Sequence, residues 1–416
     1  MDLVFHIGCE KTGTTSLQSW FHANDAALRG HGVWYSLAFG RPNNRGIMFL
    51  GLLPGTPDEQ LRSVGVDSAE QHQALQTRLT QEFLADVSAA RQAGARTYVI
   101  SNEHCHSRLK TLETVRRTHD LLAPHFQRMR VHCFLRPQID MSLSLASTMS
   151  RNRRVVDLDW VDRNMNPKAL YYRFDDLLAR WACVYGADAV VPVSLRREPD
   201  VIRYFELELG VAELGLPRQV LANTALDFRS IALMNALVTG GYGSGPLDAA
   251  VGLHFNDLPV DQRLSIDRAT ATRLQQRFDA TNLACIEAFP AITQQDLTPE
   301  WARYPEVGNI GKLHMADELA GAIGGMVNEL RLDICCERAR YLSLLCDREW
   351  RRNNTRAALQ ACREAISYAR LAVDVPAYAA DMRQILNLMA ARLARLEPEF
   401  GTGPDIQQLR VWALST

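Results

Sequence analysis

The chain has 416 residues, 47% apolar and 22% charged, which is ordinary for a globular protein and enough for one large domain or two. A net charge of −1 gives no general attraction to nucleic acid or to an anionic membrane. Nine cysteines, odd in number and without a C-x-x-C pair, argue for reduced thiols and a cytoplasmic setting.

The N-terminus enters an apolar run with no basic leader, and no stretch approaches a membrane span, so neither signal peptide nor transmembrane helix is expected. That run, Leu3–Gly8, reads as a strand that stops at a glycine loop. Leu17, Trp20, Phe21 and Leu28 then fall at helical spacing, with Gly30 and Gly32 as the stop. Leu75, Leu79, Phe83 and Val87 predict a helix over Glu70–Arg91, followed by the strand Thr97–Ser101. A helical stretch over Leu112–Ala123 leads to the strand Arg130–Leu135, and Pro137 starts the next helix. Helix Ala169–Tyr185, strand Ala189–Leu195 and helix Val201–Leu209 complete the alternation. The pattern predicts an α/β fold, a P-loop type parallel sheet with helices on both faces.

Beyond Leu216 the pattern is less regular. Thr239–Pro246 reads as a glycine-rich loop and Ala269–Phe289 as one long helix. From Met315 it turns purely helical, with two amphipathic helices broken near Asn353–Asn354 and a third over Ala377–Glu397. The expected division is a domain over 1–312 and an all-α C-terminal helical domain over 313–416. The tail's apolar stripes must bury against the first domain or against another subunit, the latter making a homo-oligomer through these helices.

The segment "HIGCEKTGTTSLQ" (His6–Gln18) has the glycine spacing of a phosphate-binding loop, Gly8 and Gly13, in the strand–loop–helix context such a loop needs. The lysine, however, lies inside the loop at Lys11 instead of following Gly13. Backbone N–H groups and a helix N-terminus suit an anion there, with Lys11, Thr12, Thr14, Thr15 and Ser16 as added donors. Other chemistry-capable residues fall at strand ends, where ligands bind in open parallel sheets: Glu103 and His104, Arg136, and the pair Arg196–Arg197. Ser144 lies two helical turns beyond Arg136, with Ser142 a rival. Glu103 or His104 suits a general base, and a helix-capping role suits either as well. His104, Cys105 and His106 lack a second ligand pair at zinc spacing, so no metal is expected.

Together these segments resemble the sulfotransferases that use 3′-phosphoadenosine 5′-phosphosulfate (PAPS), in the bacterial variant similar to the Golgi carbohydrate sulfotransferases. "HIGCEKTGTTSLQ" is similar to that family's 5′-phosphosulfate loop, and "FLRPQIDMSLS" (Phe134–Ser144) to its 3′-phosphate segment, an arginine followed eight residues on by a serine. "KALYYRFDDLLARWACVYG" resembles the helix that comes next, so the likeness covers about residues 1–310. Two departures stand out: "SLRRE" replaces an acidic residue after the last strand, and the glycine-rich segment of cytosolic relatives is not visible.

The resemblance implies PAPS as donor without a metal, a cofactor site of Lys11, Thr12, Gly13, Thr14, Thr15, Ser16, Arg136 and Ser144, and Glu103 as base with His104 the runner-up. It also implies a glycan or glycoconjugate acceptor, for which Ser150–Arg154, Arg41–Arg45 and the pair Trp34–Tyr35 are candidate contacts. Two other classes stay open: a P-loop kinase using ATP and Mg²⁺, with Thr15 and Glu103 on the metal, and a non-catalytic nucleotide-binding module that works through its helical tail.

Overall fold

The computed structural model describes residues 1–218, 225–239, 262–314 and 317–400. The glycine-rich stretch from Gly240 to Pro246 lies outside them. The chain forms two compact units, the first made of Met1–Ser147, Leu158–Ala225 and Leu264–Ile310. The second is made of Thr148–Asp157, Leu226–Arg263 and Gly311–Thr416, over their described residues.

The first unit is built on five parallel strands: β1 (Asp2–Gly8), β2 (Val33–Tyr35), β3 (Thr97–Ser101), β4 (Met129–Leu135) and β5 (Val190–Ser194). Their order is β2-β3-β1-β4-β5. The chain therefore leaves the centre at β1, builds one side, then returns to build the other, so the crevice at the carboxyl end of β1 is where the order reverses. Leu3, Val4, Phe5 and Ile7 are all buried, as expected of a strand covered on both faces. Helix α1 (Thr14–Ala23) follows β1 directly and buries Leu17, Trp20 and Phe21 against Val4, Tyr35, Val99 and Phe205.

Three details differ from expectation. β2 is only three residues long, too short for a periodic signal, and it carries Trp34 and Tyr35. Both are core residues, so neither presents a face to a sugar. The Trp34 indole donates to Asp86 at 3.0 Å, and the Arg29 guanidinium lies 3.6 Å over its ring. The expected helix over Ala169–Tyr185 opens as a 3₁₀ turn, Leu170–Tyr172, before an α-helix over Phe174–Tyr185. The expected long helix over Ala269–Phe289 is two, Arg268–Gln276 and Asp279–Ala288. Between them Phe278 is buried, its ring 5.6 Å from that of Tyr172, and Arg277 reaches Asp162 at 2.8 Å. Those long-range contacts turn the chain where apolar periodicity alone would continue it.

The second unit holds the helices Phe228–Thr239, Asp317–Arg351, Thr355–Arg370 and Ala379–Phe400. The break falls at the two asparagines: Asn353 takes a left-handed conformation at φ 61°, and the Asn354 side chain caps the next helix by accepting from the Ala357 amide. Alanines 358, 361, 365 and 369 line the middle helix and let its neighbours come close. Leu332, Cys336 and Leu342 pack on one side of it, and Met382, Leu386, Met389 and Leu393 on the other.

Candidate functional site

The site begins where β1 stops pairing. Its register against β4 slips between His6 and Gly8, and the chain then turns through Gly8 (φ 91°), Lys11 (φ 68°) and Gly13 (φ 87°) into α1. Gly8 is required twice over. Its φ is left-handed, and a Cβ there would lie 2.9 Å from the Glu103 Cα. The end of β1 is thus pressed against the residue that follows β3. Lys11 holds a left-handed conformation without glycine's freedom, local strain of the kind that persists where surrounding contacts enforce it. One such contact comes from Arg136, just past β4, whose guanidinium donates to the Lys11 carbonyl at 2.8 Å. Another comes from Thr12, whose hydroxyl donates to the Cys9 carbonyl at 2.6 Å and so serves the loop itself. Gly13 precedes α1 without a side-chain cap. The first-turn amides of a ten-residue helix therefore open beside the Thr15 hydroxyl, which is exposed, and that of Ser16, which is half-buried; Thr14 is buried.

The end of β3 is held on three sides. Gln18, buried on α1, donates to the Glu103 carboxylate at 2.6 Å and to the Ser101 carbonyl at 3.3 Å. Asn44, wholly buried, accepts from the Ser101 amide at 3.0 Å and donates to the carbonyls of Ser36 and Gly40. The Asn102 side chain donates to the Asn43 carbonyl at 2.7 Å. Part of the Arg41–Arg45 segment is therefore a buttress for Glu103, while Arg41 itself is exposed. His6 bonds the Ser101 hydroxyl at 2.9 Å, and burial lowers its pKa to about 3, so it is a neutral core histidine.

Glu10, inside the loop, gathers a second group. The Tyr171 hydroxyl donates to its carboxylate at 3.2 Å, and His104 Nδ1 lies 3.6 Å away, an ion-pair distance. Burial works against its charge, but His104, His106 and the Ser107 hydroxyl outweigh that and bring the carboxyl down to about 2. His106 Nε2 donates to the Tyr171 carbonyl at 2.9 Å, and burial pushes that ring toward its neutral form. Cys105 is buried, and burial raises its thiol. His104, Cys105 and His106 thus point to different partners.

Arg136 is itself largely buried, which works against its charge, and Asp140 and Tyr304 compensate; the Tyr304 hydroxyl donates to Asp140 at 2.6 Å. The helix Gln138–Arg151 separates the two rival serines. Ser142 is buried and takes a bond from Asn164 at 3.4 Å, whereas Ser144 is half-buried. The arginines after β5 do not join the site. Arg196 donates to the carbonyls of Gln295 and Thr298, and Arg197 pairs with Asp296 at 2.8 Å. Both anchor the 291–298 segment, an arrangement that their position at a strand end does not reveal. The run Arg151–Arg154 belongs to the second unit.

The structure thus brings together the loop, Glu103, His104 and Arg136. Sequence reasoning missed Glu10, Gln18, Asn44 and Tyr171. No family model, no curated protein and no solved structure matches the chain.

Proposed function

We propose that the chain is a PAPS-dependent sulfotransferase that transfers a sulfuryl group in line to a hydroxyl or amine, with a carbohydrate as the acceptor class. The observation that carries the reading is the loop itself: a lysine held in left-handed conformation between two glycines, opening a helix N-terminus and pressed against Glu103. The donor set fits a phosphosulfate. The loop amides, the Thr15 and Ser16 hydroxyls and Lys11 are cationic or hydrogen-bond donating, and the one loop carboxylate, Glu10, is engaged by Tyr171 and His104. When bound, PAPS supplies the sulfuryl group and a phosphate leaving group. The loop amides and hydroxyls would hold the 5′-phosphate, and Arg136 with Ser144 the 3′-phosphate. The Lys11 ammonium would offset charge building on the leaving group. Glu103, oriented by Gln18, would take the acceptor's proton.

Of the acceptor contacts expected from sequence, Arg41 is the exposed one in the first unit. The reading is tested by incubating the protein with PAPS and an acceptor panel rich in glycans. The expected result is an acceptor one sulfuryl group heavier with release of adenosine 3′,5′-bisphosphate. Phosphate transfer from ATP with Mg²⁺ would instead establish the kinase.

A further inference from the structure

Among its described residues, the second unit leaves one helix face uncovered. On Asp317–Arg351, Leu330, Ile334, Tyr341 and Leu344 are 56%, 47%, 53% and 69% exposed. Spacings of four, seven and three residues put all four on one line of a helix, with Glu337 and Arg348 completing the row. Leu332, Cys336, Ala339, Leu342 and Cys346, around the helix from that line, fill the unit's own core. From Leu330 onward the helix is therefore apolar on two opposite faces, one filling the core and one exposed. The free stripe runs about 21 Å along the axis. Four large apolar side chains in register are not the scattered singletons of an ordinary surface.

The exposed charges sort along the same helix. Glu329, Asp333 and Glu337 come first, with the half-buried Arg331 among them; Arg338, Arg340, Arg348 and Arg351 follow, and Arg352 lies just past the helix end. Part of this is balanced locally. Arg340 pairs with Glu337 and Asp381, Asp333 accepts from the Tyr378 hydroxyl at 2.6 Å, and the half-buried Glu349 lies 3.1 Å from Arg348. Asp347, at the basic end, is taken up by Arg392, and what remains is a helix net acidic at one end of its stripe and net basic at the other. Two copies laid parallel would set like charge on like. Laid antiparallel, they set the Glu329 end of one copy beside the Arg348 end of the other, leave the two Glu337 side chains near the axis with each paired to its own Arg340, oppose their macrodipoles, and keep the apolar residues in one seam. Antiparallel is also what a two-fold axis across the helix requires, since such an interface must be self-complementary.

We propose that the occupant of this face is a second copy of the chain, the two Asp317–Arg351 helices packing antiparallel. Leu330 and Ile334 of one copy then face Tyr341 and Leu344 of the other. The pairing does not depend on the functional reading. A single helix pair is a small interface, so the dimer should dissociate in the micromolar range.

The test is sedimentation velocity of the full chain at physiological salt from about 1 to 100 μM, spanning the affinity expected of a small interface. The mass should climb from 46.7 kDa toward twice that. Tyr341→Glu and Leu344→Glu, both at exposed positions, should weaken the dimer at least tenfold without moving the melting of helical circular dichroism. A photo-crosslinking amino acid in place of Leu344 should join two chains through the partner's 329–334 stretch. A chain monomeric at the highest concentration would overturn the proposal, as would a dimer that survives both substitutions. So would a crosslink onto the partner's 341–348 stretch, which means parallel packing, or one confined to a single chain.

Discussion

Replacing Gly8 by alanine, with Gly13→Ala as its control, separates backbone strain from displacement of the site. Both glycines have left-handed φ, 91° and 87°. Alanine in that region costs about 1–2 kcal/mol wherever it stands. The two differ in what a Cβ would meet. At Gly13 the nearest atom is a Val201 methyl at 3.4 Å, an ordinary contact. At Gly8 it is the Glu103 Cα at 2.9 Å, main chain that cannot rotate away and that Asn44, Asn102 and Gln18 hold in place. Forcing an extra methyl into such a contact adds about 1–3 kcal/mol. Gly8→Ala should therefore be the more destabilising by that margin, read from urea midpoints followed by tryptophan fluorescence, since Trp20, Trp34 and Trp181 are all buried in the first unit. It should also cut turnover more than Gly13→Ala, because it pushes the loop and Glu103 apart. Equal losses, or a larger loss at Gly13, would refute the claim that the loop is seated against Glu103.

Lys11→Ala should lower kcat by about 10²-fold or more, with a smaller effect on binding, because the charge it meets develops during bond breaking; near-normal turnover would remove that role. Arg136→Ala should weaken adenosine 3′,5′-bisphosphate by about 1.5–3 kcal/mol. Some loss should extend to adenosine 5′-phosphosulfate, because the guanidinium also holds the Lys11 carbonyl; equal losses for both ligands in calorimetry would dismiss a 3′-phosphate contact. Gln18→Met, close in size and without a donor, should reduce turnover by about tenfold or more, the scale of one lost charge-assisted bond, while leaving bisphosphate affinity unchanged; unaltered kinetics would show that Glu103 needs no support from α1. Finally, burial lowers both His6 and His132 from 6.5 to about 3, so each is neutral in the folded state and protonates readily only when unfolded. Their contribution is fully present above pH 6.5 and is lost as pH falls toward 3, about 2 kcal/mol each by pH 5. A urea midpoint that stays flat from pH 7 to 5 would contradict it.

How much of this was legible depended on the range of the interactions. β1, β3, β4 and β5 read as largely apolar runs, interrupted only by residues such as His6 and His132, because parallel strands are buried on both faces. β2 escaped because three residues have no period. The tail helices were legible from their apolar stripes, and the double asparagine marked their break. The loop was legible because Gly8 and Gly13 answer a local backbone demand. Its supports were not, because tertiary pairing brings them in. Gln18 meets Glu103 across 85 residues, Asn44 meets Ser101 across 57, and Tyr171 meets Glu10 across 161. The same blindness made Trp34 and Tyr35 look like a sugar platform and the arginines after β5 look like site residues. Nothing local distinguishes an aromatic in a buried three-residue edge strand from one on a surface. Nor does anything local distinguish an arginine that pins Asp296 from one that meets a ligand.

The central claim is a phosphosulfate site that binds through backbone amides, hydroxyls, Lys11 and Arg136. Its most direct measurement is the melting temperature of the first unit with adenosine 3′,5′-bisphosphate, in chelator and then in Mg²⁺. Ligand at about 100 times its dissociation constant adds about 2.7 kcal/mol, which should raise the transition by several degrees. The account predicts that rise in full in the presence of chelator, with Mg²⁺ adding nothing and Arg136→Ala abolishing most of it. A transition that ignores the bisphosphate but rises with ATP only when Mg²⁺ is present would contradict it.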